Sequence, residues 1–114
     1  MFGNDPDIDW SLMFSIVVRF DLKDEAAAAE FDGLVAQMLP EITANEPGTL
    51  IYATHTVEGE PLGRVFYELY ADRAAHAAHE AQEHMRAFFD ARPRLVAATR
   101  AEFLTLGAAK GTGA

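Results

Sequence analysis

Residues 65–84 change hydrophobic period in mid-run, and that switch governs everything packed around them. From Val65 to Tyr70 the chain is aromatic and β-branched, which suits a pleated strand. Asp72 then offers a carboxylate to the free N–H groups of a first helical turn, and alanines carry a helix at little entropic cost. The odd residue is Glu68, between Phe66 and Tyr70 on one strand face, where a carboxylate is either solvated or held by a buried partner. Three of the four histidines, His76, His79 and His84, follow on the next helical stretch.

The remaining elements read in order from their periods. Residues 12–21 alternate as a strand, with Phe14, Ile16, Val18 and Phe20 on one face and Ser15, Val17, Arg19 and Asp21 on the other. A helix starting at Lys23 or Asp24 places Phe31, Leu34, Val35, Met38, Leu39 and Ile42 on one side, and Pro40 is expected to kink or restart it. Residues 45–48 end that helix, with Gly48 expected in the left-handed conformation. A second strand over residues 49–57, a hairpin loop over 58–63 and a third strand over 64–71 come next. The second helix covers residues 72–81 and bends near Gln82, and a further helical piece covers 83–91. It is expected to break at Arg92-Pro93, with a short helical turn at Leu95 and Val96 before a fourth strand over residues 100–106.

The order β-α-β-β-α-β predicts an α+β, ferredoxin-like fold: an antiparallel four-stranded sheet with both helices on one face. The first two strands are apolar on both faces, as Ile16-Val17-Val18 and Leu50-Ile51 show. A sheet with one wet face alternates more cleanly, so the second face needs cover, and a second copy in a two-fold homodimer would supply it.

Composition excludes several function classes. The 114 residues suit one domain, and 9 basic against 18 acidic residues give a formal charge of −9. Such a surface repels polyanions, so neither nucleic acid nor an anionic membrane is expected as partner. With no cysteine there is no thiol catalysis, disulfide or thiolate metal site, which fits a cytoplasmic protein. No signal peptide or bilayer-spanning run is expected. Residues 1–12 read as an irregular N-terminal extension in which Ile8, Trp10 and Leu12 alternate, so its end could dock extended, as a surface anchor or as an arm on a partner subunit. Residues 13–107 form the domain, and 108–114 a flexible tail.

His79-Glu80-Ala81-Gln82-Glu83-His84 resembles a zinc-binding HExxH run with one residue too many. Five helical steps set the two imidazoles roughly 140° apart, which rules out shared chelation on a straight helix, so no metal is expected. Glu68 with His79 or His84 is the better candidate. It reads either as a carboxylate that orients a proton-moving imidazole or as a satisfied pair fixing helix to sheet. Tyr52 and Tyr70 could donate to a substrate oxygen or serve as core aromatics. His55 and His76 read as surface residues, and Glu80 and Glu83 as a solvated face.

Glu46-Pro47-Gly48, Tyr52, Phe66-Tyr67-Glu68-Leu69-Tyr70, Asp72, Ala75, His79, His84 and Phe88 together resemble the antibiotic biosynthesis monooxygenase family, across residues 13–106. The resemblance implies a dimeric α-β barrel with a cavity between helices and sheet in each subunit. It also implies oxidation of a small quinol-like or phenolic aromatic by dioxygen without a cofactor. His79, His84 and Glu68 would then be catalytic, and Tyr52, Phe66, Tyr70 and Phe88 would bind substrate. Relatives that act on polycyclic aromatics or degrade haem use pocket Asn and Trp residues. The Asn and Trp residues of this chain, Asn4, Asn45 and Trp10, lie outside the motif strands. A non-oxygenase isomerase or a binding protein using the same cavity is the alternative, ahead of haem binding.

Overall fold

The computed structural model describes residues 9–111, so the expectations for residues 1–8 and 112–114, including Ile8 in the arm and the end of the tail, lie outside the described residues. Within them the order is β1 (Phe14–Leu22), α1 (Glu25–Asn45), β2 (Thr49–Val57), β3 (Glu60–Tyr70), α2 (Arg73–Glu80), α3 (Arg86–Leu95) and β4 (Val96–Thr105). The strands form one antiparallel sheet in the order β2-β3-β1-β4, the ferredoxin-like arrangement. None of the described helices is long and apolar enough to cross a membrane.

Register decides which side chains share the face beneath the helices. Tyr52, Glu68, Ile16 and Phe103 form one row across the sheet, and Thr54, Phe66, Val18 and Ala101 the next. On that face Phe20, Phe31, Phe66 and Phe88 interlock, with ring centroids 5.0 Å apart for Phe20–Phe66 and 5.2 Å for Phe31–Phe88. Phe31, from α1, is wholly buried at the centre of this cluster. Asp24 and Asp72 cap α1 and α2, accepting from the Ala27 and Ala75 amides at 2.7 and 2.8 Å. Buried Arg64 ties β3 to α1 through a two-pronged pair with Asp32 at 2.9 and 3.0 Å.

Several local expectations are corrected. Residues 10–12 are a 3-10 turn capped by Asp9 rather than an extended segment, and β1 starts at Phe14. The helix α1 runs unbroken through Pro40. Pro40 and Ala36, whose carbonyl loses its partner, both lie on the exposed face, where solvent can take the freed group. The hairpin loop shrinks to Glu58-Gly59, with Gly59 at φ +76°, and β3 begins at Glu60. Gly48 does not have a positive φ; it is needed for space, because a Cβ there would meet the Ala75 Cβ at 2.6 Å.

The break near Gln82 is a 3-10 turn at Glu83–Met85 separating α2 from α3. Pro93 does not end α3, which continues to Leu95, and Lys23 Nζ donates to the Pro93 carbonyl at 3.2 Å. In place of a helical turn at Leu95-Val96, β4 begins at Val96, four residues earlier than its sequence suggests. Ala97-Ala98-Thr99 carry no alternation, yet β1 offers a free edge and the ladder extends along it, with one irregularity at Asp21/Leu22. The edge strand β4 leaves Phe103 64 % exposed beside exposed Leu104.

Candidate active site

The row that joins Tyr52, Glu68 and Phe103 forms the floor of a cavity of about 300 Å³, roofed by α2 and α3. His79, Phe88 and Arg92 line it from above. Of the residues anticipated for the site, Glu68, His79, Tyr52 and Phe88 line the cavity. Phe66 and Tyr70 do not; both are fully buried on the same sheet face, two residues to either side of Glu68 on β3. His84 also lies off the cavity, on the far side of a carboxylate it grips. His76, expected on the surface, lines the cavity and packs on Tyr70 at 4.9 Å and on Phe14 at 5.3 Å. Glu80 edges the cavity, whereas Glu83 is solvated and His55 lies exposed, its Nδ1 donating to the Val65 carbonyl at 2.9 Å.

The expected pairing of Glu68 with an imidazole is not formed. Glu68 instead accepts a short hydrogen bond from Tyr70 Oη two residues on, on the same strand face. The imidazoles converge on Glu46, at the end of α1. His79 Nδ1 meets Glu46 Oε1 at 2.7 Å and His84 Nε2 meets Oε2 at 2.5 Å. The reason is the path of the chain: the last turn of α2, which carries His79, and the 3-10 turn after it, which carries His84, lie over the α1–β2 junction rather than over the middle of β3.

Burial sets the electrostatics. It raises the Glu68 carboxyl to about 7, with the Tyr70 hydrogen bond acting in the opposite direction. It also pushes the Tyr52 phenol well above its ordinary value, helped by the Glu68 charge, so Tyr52 stays a neutral donor. The same cause lowers His79, against the opposing pull of Glu46, so its imidazole is neutral near neutral pH. Tyr52 Oη and His79 Nε2 make no hydrogen bond among the described residues, and both side chains line the cavity. Arg92 stacks over Phe89 at 5.0 Å and Phe88 at 5.7 Å, with no carboxylate partner among the described residues.

Sequence reasoning missed the roles of Glu46, Arg92 and Phe103. A signal for Glu46 does exist. An acid at a helix C-terminus opposes the dipole, and the last turn of α1 carries no basic residue, so its compensating donors must come from elsewhere. Arg92 read only as a helix breaker, and nothing local marks it otherwise. Among the described residues no cluster of three or more His, Asp or Glu is placed to hold a metal ion.

A family profile described as antibiotic biosynthesis monooxygenase matches residues 13–91. The chain belongs to this family. Among solved structures, a candidate antibiotic biosynthesis monooxygenase from Caulobacter crescentus is similar at 27% identity, over 87% of this chain and 93% of that one, with a TM-score of 0.78. The protein PA3566 from Pseudomonas aeruginosa shares the family fold at 22% identity, over 88% of this chain and 99% of that one, with a TM-score of 0.74. SnoaB from Streptomyces nogalater, a cofactor-independent oxygenase, shares it at 19% identity, over 87% and 97% of the chains, with a TM-score of 0.72. No curated protein matches the sequence.

Proposed function

We propose that this chain is a cofactor-independent monooxygenase that oxidises a small quinol-like or phenolic aromatic with dioxygen. The observation that supports it best is a cavity in which a neutral imidazole, a carboxyl raised to about 7 and a neutral phenol converge on apolar walls. A volume of about 300 Å³ fits one or two rings and excludes a large polycycle. The aromatic ring packs between Phe88 and Phe103. His79 Nε2 takes the hydroxyl proton, Tyr52 Oη donates to the oxyanion that forms, and the Arg92 charge favours it, with a second copy over the rim to shield the site from water.

The anion is electron-rich enough to reduce oxygen directly. For a hydroquinone, one dioxygen is consumed; one oxygen atom enters the ring to give a hydroxyquinone and the other leaves as water with the two hydrogens lost. Glu68, poised between its two protonation states, exchanges the protons this requires. The reading includes a homodimer, because exposed Phe103 and Leu104 on β4 leave the cavity rim and sheet edge uncovered in one chain.

Oxygen uptake with a panel of monocyclic and bicyclic hydroquinones tests the reaction. Uptake matched by a product that has gained one oxygen atom and lost two hydrogens supports it, and its loss in Glu68→Gln and His79→Ala supports the assigned roles. Turnover that persists under nitrogen would replace it with an isomerase, and uptake unchanged in both variants removes the roles. Light scattering after size-exclusion chromatography tests the dimer, and a mass of one chain refutes it.

A further inference from the structure

Glu46 is buried at the C-terminus of α1, where its charge faces the negative end of the helix dipole. A carboxylate withdrawn from water in that position needs donors. It has three: Thr49 Oγ1 donates to Oε1 at 2.7 Å, His79 Nδ1 to Oε1 at 2.7 Å, and His84 Nε2 to Oε2 at 2.5 Å. A carboxylate only accepts, so each imidazole must present an N–H to it. For His79 this places the proton on Nδ1 and leaves Nε2 with a lone pair, on a ring that lines the cavity.

We propose that Glu46 is a positioning residue that fixes His79 in its Nδ1–H tautomer and so presents a bare Nε2 to the substrate. The other tautomer would set the Nδ1 lone pair against a buried carboxylate oxygen, and rotating the ring would leave that oxygen short of a donor. His84 completes the device. Its bond to the second Glu46 oxygen ties the Glu83–Met85 turn to the end of α1, so the C-terminal end of α2 is held at a fixed distance from the sheet. The role rests on the reading above that His79 accepts the substrate proton, but the tautomer itself is observable with no substrate present.

The test is a long-range proton–nitrogen correlation spectrum of the full chain labelled with nitrogen-15 histidine, at neutral pH. The wild type is expected to show His79 with a protonated Nδ1 and an unprotonated Nε2. In Glu46→Gln the amide keeps one neutral acceptor, shared by Thr49 and His79, and turns its N–H groups toward His84, so the hold on the His79 Nδ1 proton weakens: that proton moves to higher field and the Nε2-protonated tautomer gains population. Hydroquinone oxidation in this variant drops about 100-fold in kcat, the low end of what a general base supplies, with KM within a few-fold. Glu46→Asp keeps the charge with a shorter reach, so the His79 Nδ1 proton moves to higher field and the rate falls between the two. That milder variant and the wild-type spectrum decide the matter if Glu46→Gln does not fold. A wild-type His79 protonated at Nε2, or a His79 pattern unmoved by both substitutions, overturns the proposal. A Glu46-dependent bare Nε2 in a chain that oxidises no phenol keeps the positioning role and sinks the oxygenase reading.

Discussion

Replacing Glu68 by glutamine removes a titration that burial has displaced from 4.5 to about 7 while keeping the side chain's shape and an acceptor for Tyr70 Oη. A carboxyl whose pKa is raised on folding binds its proton more tightly in the folded chain. Its contribution to stability is therefore fully present below about pH 4.5, falls as pH rises, and is gone once pH passes about 7. That displacement, at about 1.4 kcal/mol per pH unit, gives roughly 3–4 kcal/mol. Wild type and Glu68→Gln should therefore differ in the pH dependence of unfolding by that amount between about pH 4 and about pH 8, the variant losing less stability. Urea unfolding at fixed protein concentration reads it as a relative midpoint shift of about 1–3 M. His79 and the other groups titrate in both proteins and cancel in the difference. Parallel stability curves for the two proteins across this range would refute the reasoning, because they would mean that Glu68 is ionised in the folded chain at little cost.

Phe31→Ala empties the centre of the aromatic cluster and should cost about 3–5 kcal/mol in chemical unfolding, and a loss under about 1 kcal/mol would contradict the packing described. Gly48→Ala drives a methyl into Ala75 and should cost about 1–3 kcal/mol; adding Ala75→Gly should recover part of it, and strict additivity of the two costs would show that the residues do not meet. Pro40→Ala, on the exposed face of α1, should raise stability by up to about 3 kcal/mol by restoring an amide donor to the helix, as thermal unfolding would report; no gain would mean that the helix has adapted fully to the proline.

How much of this molecule can be read from its sequence depends on the range over which each signal acts. Alternation in Phe14–Leu22 and Thr49–Val57, the helical stripe from Phe31 to Ile42 and the caps at Asp24 and Asp72 are local, and each reports its element directly. The order of elements then leaves few topologies, and the ferredoxin-like sheet is among them. Prolines misled because their cost depends on whether the freed carbonyl meets solvent, which is a property of the packed helix: Pro40 and Pro93 both sit on exposed faces. The early start of β4 misled because its strand character comes from the free edge of β1 rather than from its own alanines.

The site divides in the same way. Tyr52 and Glu68 could be placed on one sheet face by counting in twos, and His79 on the facing helix by its period. Which carboxylate that imidazole meets was beyond such counting, because Glu46 and Glu68 are both within reach of a helix whose direction the sequence does not encode. The element order and the inward face of each strand follow from the chain alone, since both depend on periods of two and 3.6 residues. The pairing of Glu46 with His79 and His84, and of Glu68 with Tyr70, was decided only by the angle at which α2 and its turn lie across the end of α1. That angle is fixed by contacts between residues distant in sequence, among them the close approach of Gly48 to Ala75, and no local pattern carries it.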